Sequence, residues 1–208
     1  MSSIEVFADV WCPFAHVGLK VTLWRRQALG RDGSPLRIRA WPLELVNGAA
    51  LDPATTAVHV DELRAQVAPE LFAGFDVGRF PSTSLPALAL TAAAYREGDE
   101  VGETVALALR DALFEEGRDI ADPGVLSEVA SVHGVAVPDP GDLGAVLADW
   151  RRGQDRGVKG SPHFFCGRRD VFCPSLDISR PDGGQLVVRR NTQALNDFLD
   201  ECWGRPGR

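Results

Sequence analysis

Cys12, near the N-terminus, has the sequence surroundings of a reactive thiol. Residues 4–10 before it alternate in character and include β-branched and aromatic side chains, which predicts a strand. Pro13 follows it, and proline suits the first position of a helix because no backbone N–H is needed there. Cys12 would then be the N-cap residue, and the free amides and dipole of the first turn would stabilise its thiolate. The chemistry predicted is nucleophilic attack by sulfur.

The residues around Cys12 limit what this sulfur can do. A dithiol catalyst would carry its second thiol three residues later, but that position is Ala15. Only monothiol chemistry remains at this motif, in which the sulfur holds a mixed disulfide until another thiol releases it. His16, one helical turn beyond Cys12, is a candidate to accept a proton or contact the ligand, with packing as the alternative. Trp11 and Phe14 are candidate pocket walls, with a core role as the alternative.

The composition is that of an ordinary globular protein and excludes several classes. The 208 residues are 45% hydrophobic and 25% charged, and the net charge is −7. This charge argues against a nucleic-acid or anionic-membrane surface, and no apolar stretch approaches the ~20 residues of a membrane span. The N-terminus shows no secretion signal, so a cytoplasmic location is expected. The four cysteines are then expected to be free thiols.

The elements that would position Cys12 alternate between strand and helix. Helical spacing extends over residues 13–29 and ends near Gly30, and residues 36–41 alternate as a second strand. This order indicates a right-handed βαβ unit with parallel strands. After Gly160 the patterns predict a hairpin, a short strand and a last helix, at residues 163–166, 170–173, 185–188 and from Asn191 or Thr192 onward.

The middle of the chain has a different pattern. From about residue 60 to residue 153 it is rich in Ala and Leu at helical spacing, without a strand pattern, and it is too long for a simple connection. We therefore predict a helical subdomain at residues 51–155, inserted into a thioredoxin-like domain formed by residues 1–50 and 156–208. Its helices are predicted at residues 86–97, 100–116, 122–133 with Asp122 as N-cap, and from Asp142 to about Arg152.

Three features together resemble a known superfamily: the Cys12 helix start, the loop at residues 157–163 that enters a strand, and the order of strands and helices. The chain is similar to thioredoxin-like proteins whose fold is interrupted by a helical domain. These are the DsbA-like oxidoreductases, the FrnE-type proteins, and the group of 2-hydroxychromene-2-carboxylate isomerases and kappa-class glutathione transferases. Residues 41–45 and 106–122 support the resemblance, which covers nearly the whole chain.

The resemblance implies a set of site residues. Cys12 matches the N-terminal active-site cysteine, Pro162 matches the cis-proline, and the backbone of Ser161 is expected to pair with a peptide or glutathione. Ala15 departs from the resolving cysteine of DsbA-like enzymes, and the isomerase and kappa groups usually have serine at the position of Cys12. The substrate-binding residues expected are Trp11, Pro13, Phe14, Ala15, His16, Ser161 and Pro162.

The function expected is DsbA-like thiol–disulfide exchange through one cysteine. The substrate would be a small thiol, a disulfide or a peptide, with glutathione as a candidate cosubstrate, no metal and no tightly bound cofactor. The related families suggest a homodimer. One alternative is a glutathione-dependent isomerase or transferase acting on a small aromatic compound, in which Cys12 orients the glutathione sulfur. Another is a non-catalytic module that binds a peptide or a partner in the cis-proline cleft.

Further roles stay open at this point. Asp9 either relays a proton beneath the sulfur or makes hydrogen bonds at the end of the strand. Cys166 and Cys173 flank the predicted hairpin turn, so either one could resolve a mixed disulfide, with packed thiols as the alternative. Cys202 is expected in the core. The spacing of Cys166, Cys173 and His163 matches no zinc pattern.

Overall fold

A computed structural model describes residues 3–204, apart from the side chain of Asp182. The first part of the chain forms a strand–helix–strand unit: β1 (Ile4–Ala8), α1 (Pro13–Ala28) and β2 (Arg37–Ala40). It is followed by helices α2 (Leu43–Asn47), α3 (Pro53–Gln66), α4 (Leu85–Glu97), α5 (Asp99–Phe114), α6 (Pro123–Val132) and α7 (Gly144–Asp155). The last part comprises β3 (His163–Cys166), β4 (Arg169–Phe172), β5 (Leu176–Ser179), β6 (Val187–Arg190) and α8 (Thr192–Trp203).

The central sheet has the strand order β2-β1-β3-β4. β1 pairs with β2 in parallel, as the strand–helix–strand pattern predicts, and with β3 in antiparallel orientation. Because side chains alternate along a strand, Val6 and Phe164 pack with α1 and α8 on one face of the sheet. Phe7 and Phe165 face the other way and pack beside α7. A pair of strands, β5 and β6, forms a second, antiparallel sheet.

Several predicted elements differ from the structure in their bounds or their partners. β1 ends at Ala8 rather than at residue 10, since the chain turns there toward α1. The strand predicted at residues 185–188 lies at Val187–Arg190 and pairs with β5, which the sequence analysis missed. Asp142 does not cap α7, because that helix begins one residue later than such a cap requires, with Leu143 as its N-cap. Asp122 and Asn191 cap α6 and α8 as predicted.

Helices α3 to α7 lie between residues 53 and 155, and α4, α5 and α7 pack directly against β2. The hydroxyl of Tyr95 in α4 accepts a hydrogen bond from the amide of Ile38 (2.7 Å) and donates one to the carbonyl of Leu36 (2.8 Å). Gly153 of α7 lies so close to the sheet that a Cβ there would come within 2.6 Å of the ring of Trp41. The exact boundaries of an inserted subdomain stay a prediction. Within residues 3–204, no helix has both the length and the apolar character that crossing a bilayer requires.

Replacing Tyr95 by Phe tests how α4 is joined to β2. The change removes the hydroxyl and leaves a buried N–H and a buried C=O without their partner. We expect the free energy of unfolding to fall by ~2 kcal/mol, since an unsatisfied buried polar group costs ~1–3 kcal/mol. Urea unfolding measures the change, with Thr104→Ala on the exposed face of α5 as the control. A Tyr95→Phe variant as stable as this control would contradict the assignment.

Candidate active site

The backbone places the sulfur of Cys12 at the N-terminal end of α1. Cys12 is the N-cap residue in an extended conformation, with φ −80° and ψ 113°, and the helix begins at Pro13. The thiol donates a hydrogen bond to the carbonyl oxygen of Ser161, with 3.3 Å between Sγ and O. Only 4% of the residue is exposed. The N-cap position predicted from the sequence is therefore the one that the structure shows.

Antiparallel pairing brings the loop before β3 to this sulfur. Phe7 near the end of β1 is opposite His163 at the start of β3, so the segments beyond these two residues meet at one edge of the sheet. The amide of Asp9 donates to the hydroxyl of Ser161 at 2.9 Å, which extends the contact past the strands. The peptide bond between Ser161 and Pro162 is cis.

A cleft opens beside Cys12. It has a volume of about 210 Å³ and is lined by Cys12, Pro13, Phe14, Leu43, Leu51, Asp52, Thr55, Thr56 and His59. The ring of Phe14 lies 5.3 Å from that of His59, and Arg180 donates to Nε2 of His59 at 3.0 Å. Most of one wall comes from α3 and the loop before it. This wall was not predicted from the sequence, although Asp52 and Pro53 repeat the cap-and-proline signal that predicted α6.

Five residues that were expected to contact a substrate lie outside the residues that line this cleft. They are Trp11, Ala15, His16 and Pro162, which are buried, and Ser161, which is half-buried. Trp11 has no exposed surface and stacks on Phe80, with 5.7 Å between the ring centroids. His16 is 1% exposed and its Nε2 lies 2.7 Å from Oε1 of Glu115. The rule that residues four apart share a face applies to helical residues, and Cys12 is an N-cap with an extended backbone. Packing is therefore the role that the geometry gives to Trp11 and His16.

Burial governs the ionisation of Cys12. It raises the pKa of the thiol, while a hydrogen bond from the side chain of Ser161 and the amides of Ala15 and Phe14 lower it, and the charge of Asp9 raises it further. The first-turn amides thus act in the expected direction, but loss of water outweighs them. The expectation of a resting thiolate is corrected accordingly: the pKa of Cys12 lies above that of an ordinary cysteine.

Asp9 and Arg110 are a pair of buried ionisable residues near the sulfur. Burial raises the pKa of Asp9 to about 7. Three contacts lower the pKa but do not outweigh burial: the amide of Leu43, the hydroxyl of Ser84 and the guanidinium of Arg110. Burial also lowers the pKa of Arg110 to about 10, although the charges of Asp9 and Cys12 favour its cationic form. The guanidinium donates to the backbone carbonyl of Asp9 at 3.3 Å.

Arg110 was not predicted from the sequence. The available signal was an arginine on the apolar side of α5, among the buried residues Ala106, Leu109 and Leu113.

The other cysteines form two separate neighbourhoods. The amide of Cys173 donates a hydrogen bond to the carbonyl of Pro162 at 3.0 Å. Burial, followed by the charge of Cys12, raises the pKa of Cys173 to about 12. Cys166 lies at the opposite end of β3 from the cis peptide bond. Burial, followed by the neighbouring thiol of Cys166, raises the pKa of Cys202.

One group of side chains within residues 3–204 has the composition of a metal site. Ligand atoms of His16, Asp111 and Glu115 lie within 4.8 Å of one another. Two of the three residues already have protein partners: Lys20 pairs with Asp111 at 2.6 Å, and Glu115 accepts hydrogen bonds from His16 and two backbone amides. Nδ1 of His16 has no hydrogen-bond partner among residues 3–204. This arrangement serves packing between α1 and α5.

The fold and the site together define a thioredoxin-like protein, in which a cysteine at the start of the first helix faces a cis-proline loop. Helices between β2 and β3 interrupt that fold. Residues 3–179 match the family model of the DSBA-like thioredoxin domain, and the chain belongs to this family. No curated protein sequence matches the chain significantly.

Solved structures share the fold at low sequence identity. A probable DsbA oxidoreductase from Streptomyces coelicolor is 20% identical, with a TM-score of 0.67 over 100% of this chain and 92% of its own. A 2-hydroxychromene-2-carboxylate isomerase is 15% identical, with a TM-score of 0.59 over 81% and 87% of the two chains. The cytosolic disulfide reductase DsbM from Pseudomonas aeruginosa, solved with GSH, is 16% identical, with a TM-score of 0.54 over 96% and 98%.

Replacing Glu115 by Gln tests the buried pair with His16. Burial opposes ionisation of Glu115, but hydrogen bonds from His16 and the amides of Phe72 and Ala73 outweigh it and lower the pKa from 4.5 to about 2. A lowered pKa stabilises the folded state above the unfolded pKa, and this contribution is lost as the pH falls toward the folded pKa. We expect Glu115→Gln to be less stable than wild type at about pH 6, with a smaller difference at about pH 3.

Urea unfolding at both pH values measures this difference. Glu116→Gln, at the exposed neighbouring carboxylate, is the control and should follow the wild-type profile. A Glu115→Gln deficit that does not change with pH would show that the carboxylate charge is not responsible.

Replacing Asp9 by Asn tests the coupling between the buried carboxyl and the sulfur. Because the charge of Asp9 raises the pKa of Cys12, we expect the variant to have a lower Cys12 pKa and faster alkylation above about pH 7, where Asp9 is ionised. The pH dependence of iodoacetamide labelling, followed on the peptide containing Cys12, measures the shift. Asp52→Asn, at a carboxylate that lines the cleft, is the control. An unchanged or higher pKa of Cys12 in Asp9→Asn would exclude the coupling.

Proposed function

We propose that this protein is a thiol–disulfide oxidoreductase of the DsbA-like type in which Cys12 is the nucleophile. The observation that carries the proposal is the position of the Cys12 sulfur, which lies 3.3 Å from the carbonyl of Ser161 and also borders an open cleft. Membership of the DSBA-like thioredoxin family supports it. So does the fold shared with an oxidoreductase and a disulfide reductase.

The reaction begins when the Cys12 thiolate attacks one sulfur of a disulfide. The S–S bond of the substrate breaks, a mixed disulfide forms on Cys12, and the departing thiolate takes up a proton. The amides of Phe14 and Ala15 stabilise the negative charge on the attacking sulfur. Ala15 occupies the position of a resolving thiol, so the mixed disulfide is released by a thiol from elsewhere.

The resting hydrogen bond of Cys12 also links ionisation to substrate binding. The thiol donates to the carbonyl of Ser161, and a thiolate has no proton to donate. Ionisation of Cys12 therefore frees this carbonyl to accept a backbone N–H from a bound peptide or from glutathione. Extended substrates pair with protein backbone in this way when they add a strand to a sheet.

The shape of the cleft favours a small or narrow substrate. About 210 Å³ lined largely by apolar side chains accommodates an apolar group beside the reacting sulfur. Glutathione disulfide is the small disulfide that we propose as a cosubstrate, because the neighbouring structure of DsbM was solved with GSH. The description of DsbM as cytosolic agrees with the cytoplasmic location that we propose.

Intact mass after incubation with glutathione disulfide tests the proposal. We expect wild type to gain one glutathionyl group, mapped to Cys12 by peptide analysis, and Cys12→Ser to gain none at this peptide. Cys166→Ser is the matched control, since its thiol lies at the other end of β3 and the adduct on Cys12 should persist. Repeated absence of the adduct from the wild-type Cys12 peptide would refute the proposal.

A second candidate function is a glutathione-dependent isomerase or transferase acting on a small aromatic compound. The observation that favours it is the small apolar cleft at Cys12, in a fold shared with a 2-hydroxychromene-2-carboxylate isomerase. In this mechanism glutathione is the nucleophile and Cys12 only orients its sulfur. Saturable binding of reduced glutathione that survives in Cys12→Ser would favour it. Ordinary thiol reactivity without glutathione binding would indicate a non-catalytic binding module.

A further inference from the structure

Cys12 and Cys173 contact two consecutive residues of the cis-proline loop. The thiol of Cys12 donates to the carbonyl of Ser161, and the amide of Cys173 donates to the carbonyl of Pro162, at 3.3 and 3.0 Å. The segment that follows Cys173 also lies against α1. A Cβ built on Gly18 of α1 would be 3.3 Å from the ring of Pro162 and 3.3 Å from the hydroxyl of Ser175. The cis-proline loop and the turn after β4 are therefore packed together at the start of α1.

The backbone at Cys173 has an unusual conformation. Its φ is +46°, in the left-handed region that residues other than glycine rarely adopt. Such conformations persist only where the surrounding structure enforces them, and they cluster at functional sites. Here the turn follows β4 at once, and the residue is 5% exposed. The thiol is thus held inside the protein, next to the loop that contacts Cys12.

The remaining cysteines are placed for a different contact. In the sheet register Cys166 is opposite Ile4 and Arg169, at the far end of β3 from Pro162. Cys202 of α8 belongs to the same apolar cluster as Cys166, and Arg169 pairs with Glu201 beside it. The sheet geometry therefore separates Cys166 and Cys202 from the active-site loop.

We propose that Cys173 is the resolving thiol for the mixed disulfide formed on Cys12, an inference that rests on the proposed function. The Cys173 sulfur attacks Sγ of Cys12, the bond between Cys12 and the substrate sulfur breaks, and an internal Cys12–Cys173 disulfide forms. The proton lost by Cys173 is taken up by the departing thiolate. The substrate disulfide is reduced by two electrons and the protein dithiol is oxidised. Two equivalents of a low-molecular-weight thiol restore the dithiol and become a disulfide.

The electrostatics of the two sulfurs fit this order of events. Burial, followed by the charge of Cys12 and that of Asp177, raises the pKa of Cys173. A mixed disulfide on Cys12 carries no thiolate charge, so one of these causes disappears when the first step is complete. Cys173 is therefore easier to ionise beside the mixed disulfide than beside the Cys12 thiolate. A disulfide requires the sulfurs to approach to ~2.05 Å, so the proposal requires the turn at residues 173–175 to move toward Cys12.

A time course with one equivalent of glutathione disulfide tests the resolving role. Samples are quenched with acid, blocked with N-ethylmaleimide and digested with trypsin, which separates the four cysteines onto different peptides. In wild type we expect the Cys12 adduct to rise and then decay as a linked Cys12–Cys173 peptide appears. In Cys173→Ser the late adduct level should be several-fold higher, whereas Cys166→Ser should follow the wild-type course.

The outcomes separate this inference from the proposed function. An adduct that persists equally in wild type and Cys173→Ser, or an internal link that joins only Cys166 and Cys202, overturns the resolving role and leaves Cys12 as a monothiol nucleophile. Absence of any adduct or link at Cys12 overturns both proposals. If Cys173→Ser does not fold, as judged by circular dichroism, the presence or absence of the linked peptide in wild type decides the question.

Discussion

The antiparallel pairing of β1 with β3 is the constraint on which the site depends. β3 is the next strand after β2 along the chain, but it pairs with β1. The register of this pairing places Phe7 opposite His163. The end of one strand therefore meets the start of the other, and the segments beyond them carry Cys12 and Ser161. A shift of one residue would turn every side chain of β3 to the opposite face of the sheet. Because both faces are packed, the register that brings sulfur and loop together is also the one that buries Phe164.

Exclusion of water dominates the chemistry at this site. Burial favours the neutral form of each of three ionisable groups. It raises the pKa of Cys12 and of Asp9, and it lowers the pKa of Arg110. The opposite charges of Asp9 and Arg110 offset part of this effect, and the charge of Asp9 opposes a charge on Cys12. The groups are therefore coupled, and a change of charge on one alters the ionisation of the others. A sulfur in such surroundings is reactive only when its charge is compensated at the moment of attack.

Local sequence signals predicted the framework of the site and not its walls. The Cys12–Pro13 helix start and the hairpin at β3 and β4 depend on a few adjacent residues, and they were predicted correctly. The resemblance to DsbA-like proteins likewise predicted the family. The positions of Trp11 and His16 depend instead on Phe80 and Glu115, which are distant in sequence. No periodicity predicts that such partners meet, since packing between elements decides it.

The helices between β2 and β3 contribute to the site on two sides. From below, α5 supplies Arg110, which contacts the backbone of Asp9. From above, α3 supplies His59 and most of one wall of the cleft that opens beside Cys12. The thioredoxin-like part alone would leave the sulfur facing solvent on that side. It follows that the ionisation of the sulfur and the shape available to a substrate both depend on helices that lie outside the thioredoxin-like part of the chain. A change in α3 would alter which disulfide fits, whereas a change at Arg110 would alter how readily the sulfur ionises.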